Sequence, residues 1–274
     1  MDQQDIAIIG CGIVGGALAL LFPECAVIDP FRWPEPVGPE GVRDGWLDGR
    51  NQWHTIEAPG ERPYRVAFVC VPTPMGEDGS CDTSIVEQAI RENDAEVFVI
   101  KSTVPPGTTR RLSEVTQKVC VFSPEFTGAT QHSQAIDDGF VILGGPREWT
   151  EPVAELYKEV KPATFRIFKT TEDTAELVKY AENAFLAMKV TFFNEFYRLG
   201  LAAGVDFDEF REALLLDPRI GREHSFVYRS HPYWKSVCFD KDLPAIVAWA
   251  LQHDVEAPLV EAVIKTNELH RGLA

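Results

Sequence analysis

The chain has 274 residues, 45% of them hydrophobic and 25% charged, with 26 basic against 42 acidic side chains and a net charge of −16. That is enough for one large core or two domains, and so acidic a surface repels nucleic acid and anionic membranes as main partners. The opening MDQQDIAIIG has no basic leading region, and no apolar stretch reaches a membrane-spanning length, so neither a signal peptide nor a membrane anchor is expected. Six cysteines (Cys11, Cys25, Cys70, Cys81, Cys120 and Cys238) form no CxxC pair, and the histidines are dispersed. No metal site or disulfide scaffold is expected, and a reducing, cytoplasmic compartment is.

The first organised stretch runs from Asp5 to Pro30. Ile6-Ala-Ile-Ile9 reads as a buried strand, Gly10-Cys-Gly12-Ile13-Val14-Gly15 opens an apolar helix, and Cys25-Ala-Val-Ile-Asp29 reads as the next strand. Gly10 permits the tight turn and Gly12 lets the backbone approach a pyrophosphate at the helix N-terminus. Gly15 permits close helix–strand packing, and Asp29 can accept hydrogen bonds from a ribose diol. Strand, helix, strand and acid in register point to a dinucleotide site on Gly10, Gly12, Ile13, Val14, Gly15 and Asp29. Asp29 repels a 2′-phosphate, which favours NAD over NADP, while Arg32 nearby pulls the other way. FAD would use the same frame, and the oxidation residues below count against it.

Residues 31–65 turn irregular, rich in Pro and Gly, with Trp33, Trp46 and Trp53; they read as an insertion or shortened crossover near the adenosine end of the site. Three further strand–helix units follow. Val66–Val71 runs into Pro72-Thr-Pro74, Val97–Ile100 into Lys101-Ser-Thr-Val-Pro-Pro-Gly107, and Val119–Phe122 into Ser123-Pro-Glu-Phe126. Each ends in a polar or Pro-containing turn, where open α/β sheets bind ligands. Residues 141–143 and 164–167 can add edge strands. The first domain is expected to cover 1–168 and a helical one 169–274, with helices over 207–215, 243–251 and 258–269.

The helical part is organised around 173–199, which lacks Gly and Pro for more than seven turns. Asp173 and Glu176 have the spacing of a capping pair, and Gly200 stands at the expected end. Leu177, Tyr180, Phe185, Met188, Phe192, Phe196 and Leu199 recur at three- to five-residue steps, as expected of a largely buried helix. Lys179 and Asn183, four apart, share one face, with Asn194 three turns along. A buried lysine or amide there needs partners.

These runs resemble a known family, the UDP-glucose/GDP-mannose dehydrogenases. The matching segments are VPTP (71–74), DGSCD (78–82), KSTVPPGTT (101–109), SPEF (123–126), the E-x-x-KYxxNAFLAxKVxFxNE run from Glu176 to Glu195, DPRIG (217–221) and CF-x-KD (238–242). They occur in the family's order over nearly the whole chain. The resemblance implies an N-terminal Rossmann-type parallel-sheet domain followed by an all-helical, 6-phosphogluconate-dehydrogenase-like domain built on one long helix. It further implies NAD-dependent, four-electron oxidation of a primary alcohol to a carboxylate. Cys238 matches the nucleophile, which forms a thiohemiacetal with the aldehyde and then a thioester. Lys179 and Asn183 match groups beside the substrate oxygen, while Glu125, Thr103 and Asp242 match residues that position water and move protons. Val71, Pro72, Thr73, Thr103 and Lys241 match cofactor contacts.

Three departures bear on these expectations. The family's second acid, four residues beyond the Glu of SPEF, is Ala129 here. The glycine-rich loop that precedes the cysteine is replaced by His231-Pro-Tyr-Trp-Lys-Ser-Val237. The chain stops at Ala274, where the family continues into a further α/β domain that binds the UDP portion. Three functions stay open: four-electron oxidation of a sugar or nucleotide sugar; two-electron alcohol oxidation with Cys238 idle; or a non-catalytic NAD-binding subunit needing a partner chain that supplies the missing domain. Aromatics spread around the long helix lead us to expect a homodimer through it.

Overall fold

A computed structural model describes residues 3–29, 45–47, 53–55, 62–126 and 139–273. They gather into two compact units: the described parts of Met1–Pro74, Asp82–Gly128 and Ala135–Lys179 form one, and those of Met75–Cys81 and Tyr180–Ala274 the other. Residues 30–44, 48–52, 56–61 and 127–138 lie outside the described residues, and with them most of the irregular 31–65 stretch and Ala129.

The first unit begins with β1 (Ile6–Ile9), α1 (Ile13–Leu21), β2 (Ala26–Ile28), and a short antiparallel ribbon of β3 (Gly45–Leu47) and β4 (Trp53–Thr55). It continues with β5 (Pro63–Val69), α2 (Ser84–Glu92), β6 (Asp94–Ile100), α3 (Thr108–Thr116), β7 (Cys120–Phe122), β8 (Phe140–Gly144), α4 (Arg147–Val160) and β9 (Arg166–Thr170). Seven strands form one sheet in the order β2-β1-β5-β6-β7-β8-β9, parallel throughout except between β7 and β8. All of β1 and the last four residues of β5 and of β6 are buried, as unbroken apolar runs in a sheet covered on both faces require. One apolar layer packs Leu18 and Phe22 with Phe68 and Tyr157; the other packs Ile90 and Leu112 with Phe98 and Phe122. The chain leaves β1 outward to β2 and then returns to β5 on the other side. That reversal opens the crevice at the carboxyl ends of β1 and β5. The Rossmann-type sheet expected from the sequence is therefore present, with β8 inside the sheet rather than at its edge.

The second unit takes α6 (Phe207–Leu214), α7 (Phe239–Gln252), α8 (Pro258–Leu273) and most of α5 (Glu172–Ala203); the division falls inside α5, after Lys179. Its core joins Ala187, Trp234, Phe239, Leu243 and Val263. Three expectations about these helices are corrected. First, α5 runs through Gly200 and stops at Gly204, whose φ of +69° is left-handed backbone that glycine adopts freely. Second, the Asp173–Glu176 cap does not form: the Thr171 hydroxyl oxygen accepts the Thr174 N–H at 3.3 Å, and Glu176 turns to another helix. Third, Tyr180 is buried, but Leu177, Phe185, Phe192 and Leu199 are exposed in the single chain. In addition, α7 starts at Phe239, four residues before the expected Leu243. Pro244 lies inside it and only removes one main-chain bond. No helix among the described residues is long and apolar enough to cross a membrane.

Candidate functional site

The glycine turn is built by close approach. A Cβ on Gly15 would lie 1.9 Å from the Gly10 carbonyl oxygen, and Gly10 itself has φ +91° with its Cβ position 2.9 Å from the Cys70 carbonyl. A Cβ on Gly12, in contrast, would meet nothing within 4 Å. The N-terminal turn of α1, which holds Ile13 and Val14, thus faces open space over Gly12 with its N–H groups unclaimed by a capping side chain. Asp29 closes the turn from β2: its Oδ2 accepts the Cys11 N–H at 2.8 Å. The buried carboxylate therefore stands beside the glycine turn, where the sequence placed a ribose acceptor.

The neighbouring strand ends add Val71, Pro72 and Thr73 after β5, with Val71 and Thr73 buried and Pro72 exposed. The Ser102 hydroxyl donates to the Val71 carbonyl at 2.6 Å, which ties the turn bearing Thr103 to them. At the end of β6 sits Lys101, whose side chain is only 2% exposed. Its Nζ lies 3.3 Å from Glu125 Oε2 and donates at 3.4 Å to the Ser123 hydroxyl and the Pro124 carbonyl. Burial pushes the Tyr157 hydroxyl and the Cys70 thiol beside this pair upward, so both stay neutral near pH 7. Lys101, Glu125, Phe126 and Tyr157 line a cavity of about 290 Å³ whose apolar wall comes mainly from α1 and β8.

Glu176 is fully buried. Its Oε2 accepts the Gly107 N–H at 2.7 Å, and its Oε1 accepts the Thr109 N–H at 2.7 Å and the Thr109 hydroxyl at 2.6 Å. Burial pushes its carboxyl up to about 7 against the downward pull of those three donors. One turn further along α5, Lys179 holds its Nζ 5.0 Å from the centre of the Phe126 ring, a cation–π distance.

In the second unit, Asn183 and Asp242 are both buried, and the Asn183 amide donates to Asp242 Oδ2 at 2.7 Å. Lys241 Nζ lies 2.5 Å from the other oxygen, Oδ1. The Asp242 N–H donates to the Cys238 carbonyl at 2.8 Å, which sets Asp242 one helical turn after the cysteine. Cys238 is exposed and occupies the N-cap of α7, a position where helix N–H groups favour an anion. The loop before it is anchored through Trp234. The Trp234 N–H donates to Asn267 Oδ1 at 2.8 Å, the Asn267 amide donates back to the Trp234 carbonyl at 3.0 Å, and the indole N–H donates to the Thr191 hydroxyl at 2.9 Å.

Within the first unit the structure gathers Gly10, Gly12, Gly15, Asp29, Val71 and Thr103 around the ends of β1, β5 and β6, with Glu125 turned to Lys101. Within the second it gathers Cys238, Lys241, Asp242 and Asn183. Sequence reasoning passed over Lys101, Tyr157 and Trp234. For Lys101 a signal existed: a cation ending the apolar run Val97–Ile100 inherits the burial of its strand. Among the described residues no group of His, Cys, Asp and Glu could hold a metal ion.

Two family descriptions match the chain. The NAD binding domain of the UDP-glucose/GDP-mannose dehydrogenase family matches residues 46–161, and the central domain of that family matches residues 173–269. UDP-glucose 6-dehydrogenase TuaD of Bacillus subtilis is 30% identical, with 98% of this chain and 64% of that protein covered. A UDP-glucose 6-dehydrogenase of Pseudomonas aeruginosa is 32% identical, with 98% and 66% covered. The chain thus spans just under two thirds of the length of these relatives. The structure of a UDP-glucose dehydrogenase from Pyrobaculum islandicum is similar at a TM-score of 0.76 and 27% identity, covering 96% of this chain and 68% of that one.

Proposed function

This chain belongs to the UDP-glucose/GDP-mannose dehydrogenase family, and from that premise we propose that it oxidises the primary alcohol of a nucleotide sugar to the carboxylate, with NAD as acceptor and Cys238 as nucleophile. The residues present fit the cofactor: open space over Gly12 at a helix N-terminus suits a pyrophosphate, and the Asp29 carboxylate suits a ribose diol. Bound there, NAD accepts one hydride in each of two oxidations.

The chain's own groups divide the remaining work. In the first oxidation the alcohol becomes an aldehyde as its hydroxyl proton passes to a water held by Thr103 and Glu125 and on to solvent, and Lys179 and Asn183 stabilise charge on that oxygen. The Cys238 thiolate then adds to the aldehyde carbon; the S–C bond forms and the carbonyl electron pair moves to oxygen, again against Lys179 and Asn183. Hydride loss from the same carbon leaves a thioester. A water held by Thr103 and Glu125 attacks it, the C–S bond breaks, and the carboxylate leaves as the thiol is restored. Asp242 orients the Asn183 amide, and Lys241 serves the cofactor side. The observation that carries the reading is the buried Asn183–Asp242 hydrogen bond of 2.7 Å, whose acceptor lies one helical turn after Cys238. A buried carboxylate and amide are costly to retain without such a task.

The test is a count of NADH formed per nucleotide sugar consumed, with Cys238→Ser beside the native chain. Two NADH per sugar, with the second lost in the serine variant, is the expected result. One NADH, unaffected by the substitution, makes the chain a simple alcohol dehydrogenase. None, in protein that binds NAD, removes the reading for the chain acting alone. We further propose that two copies pair along α5, supported by Phe185, Phe192 and Leu199, which recur every seven residues and are 58%, 43% and 54% exposed.

A further inference from the structure

We propose that Glu176 is a positioning residue: its buried carboxylate ties the turn that carries Thr103 to the helical turn that carries Lys179, and so holds both groups in register for the reaction. The inference rests on the reading of Thr103 and Lys179 given above.

Helix α3 lacks a capping side chain of its own. Its N-cap is Gly107, at φ +89°, which has no side-chain oxygen to offer. The acceptor comes instead from a residue far along the chain, on another helix. Three donors converge on Glu176 at 2.6–2.7 Å, two of them main-chain N–H groups of the first turn of α3. Both carboxylate oxygens are needed, one for Gly107 and one for Thr109. A glutamine of the same shape offers one oxygen and turns an NH2 group toward an N–H. Among the described residues no cation pairs with Glu176 to offset its burial; Arg110, the nearby basic residue, is engaged with Asp173 at 3.0 Å on the surface. A fully buried, cation-free carboxylate is a costly way to end a helix that a serine at the N-cap could end locally.

The cost becomes intelligible from what the tie connects. Upstream of Gly107, the same turn is pinned to the end of β5: the Lys101 and Ser102 N–H groups donate to the Val69 carbonyl at 2.9 and 3.3 Å, and the Ser102 hydroxyl donates to Val71. Downstream of Glu176, one helical turn leads to Lys179 over the Phe126 ring. Hydrogen bonds therefore pin the segment that carries Thr103 on both sides, to Val69 and Val71 before it and to Glu176 after it, and one turn of α5 leads from Glu176 to Lys179. Surface bridges such as Arg110–Asp173, 60% and 43% exposed, contribute little to such a link.

The test uses the full chain with Glu176→Gln, beside Thr109→Val, which removes only the hydroxyl donor, and Arg110→Ala, which removes only the surface bridge. In Glu176→Gln, amide exchange at Gly107 or Thr109 rises about tenfold, the equivalent of one lost buried hydrogen bond, while mid-helix Leu112 keeps its protection. The same variant lowers kcat by about tenfold or more with KM for the sugar within about threefold, since a misplaced group costs rate more than binding. Thr109→Val shows a smaller loss and Arg110→Ala close to none. Unchanged exchange at both amides overturns the tie. Changed exchange with unchanged kcat, or a kcat that falls only with the folded fraction, overturns the positioning role. If the native chain has no turnover at all, the activity reading has failed and the 13C signal of dimethylated Lys179 decides: a shift between native and Glu176→Gln supports positioning, and an unmoved signal overturns it.

Discussion

At Gly15 one methyl group separates a working turn from a broken one. Its Cβ would lie 1.9 Å from the Gly10 carbonyl oxygen, so Gly15→Ala must push α1 off β1 or distort the turn. We predict a loss of about 1–3 kcal/mol in urea unfolding, as for other overpacked sites, together with weaker NAD binding. Gly12→Ala differs, because its added methyl group meets no protein atom; it should leave stability within about 0.5 kcal/mol of native and still weaken NAD binding. Native affinity in Gly12→Ala, measured by titration calorimetry, would remove the pyrophosphate from that position. Residues of this kind were legible in the sequence because their demands are local. Gly10 and Gly15 answer to a turn and a close packing within a single strand–helix–strand unit, whereas the Asp29 bond to the Cys11 N–H was not expected. Lys101 was passed over because a lone lysine reads as solvated; its place at the end of the apolar run Val97–Ile100 was the signal that β6 carries it inside, against Glu125.

At the scale of the element, helix α5 shows where periodicity stops informing. Apolar residues spaced at three to five positions mark a helix, but when they encircle it they do not say which of them face their own chain. Tyr180 and Phe193 are buried, whereas Phe185, Phe192 and Leu199 are not. The start of α5 was obscure for a related reason: Glu176 has the spacing of a local cap, and only the fold reveals that it serves Gly107 and Thr109 on α3. Pro244 hid the start of α7, since a proline in a helical pattern reads as a boundary until the turn around Cys238 is seen. The exposed stripe on α5 leads to a prediction at this scale. Sedimentation of the native chain at micromolar concentration should give a dimer, and Phe192→Glu should shift it to monomer by placing a charge in an apolar interface. A native monomer, or a Phe192→Glu dimer of unchanged strength, would remove the pairing through α5.

At the scale of the whole molecule, the two compact units carry different halves of the proposed chemistry. The first holds the dinucleotide frame, Thr103, Glu125 and Lys179; the second holds Asn183, Cys238, Lys241 and Asp242. The fold class was legible because alternating strands and helices followed by helices alone constrain architecture strongly. The family was legible through runs such as KYAENAF and CFDKD, and the proposed chemistry is what that resemblance implies. The replacement of a second acid by Ala129 carries a consequence for this division. With one fewer group to activate water, the thioester on Cys238 should be cleaved slowly and accumulate. The most direct measurement is therefore the intact mass of the chain, quenched in acid after mixing with NAD and a UDP-hexose. The account predicts a mass increase equal to the oxidised sugar's acyl group, located by peptide mapping at Cys238 and absent from Cys238→Ser. NADH formed steadily with no adduct at any time, and with Cys238→Ser equally active, would contradict it.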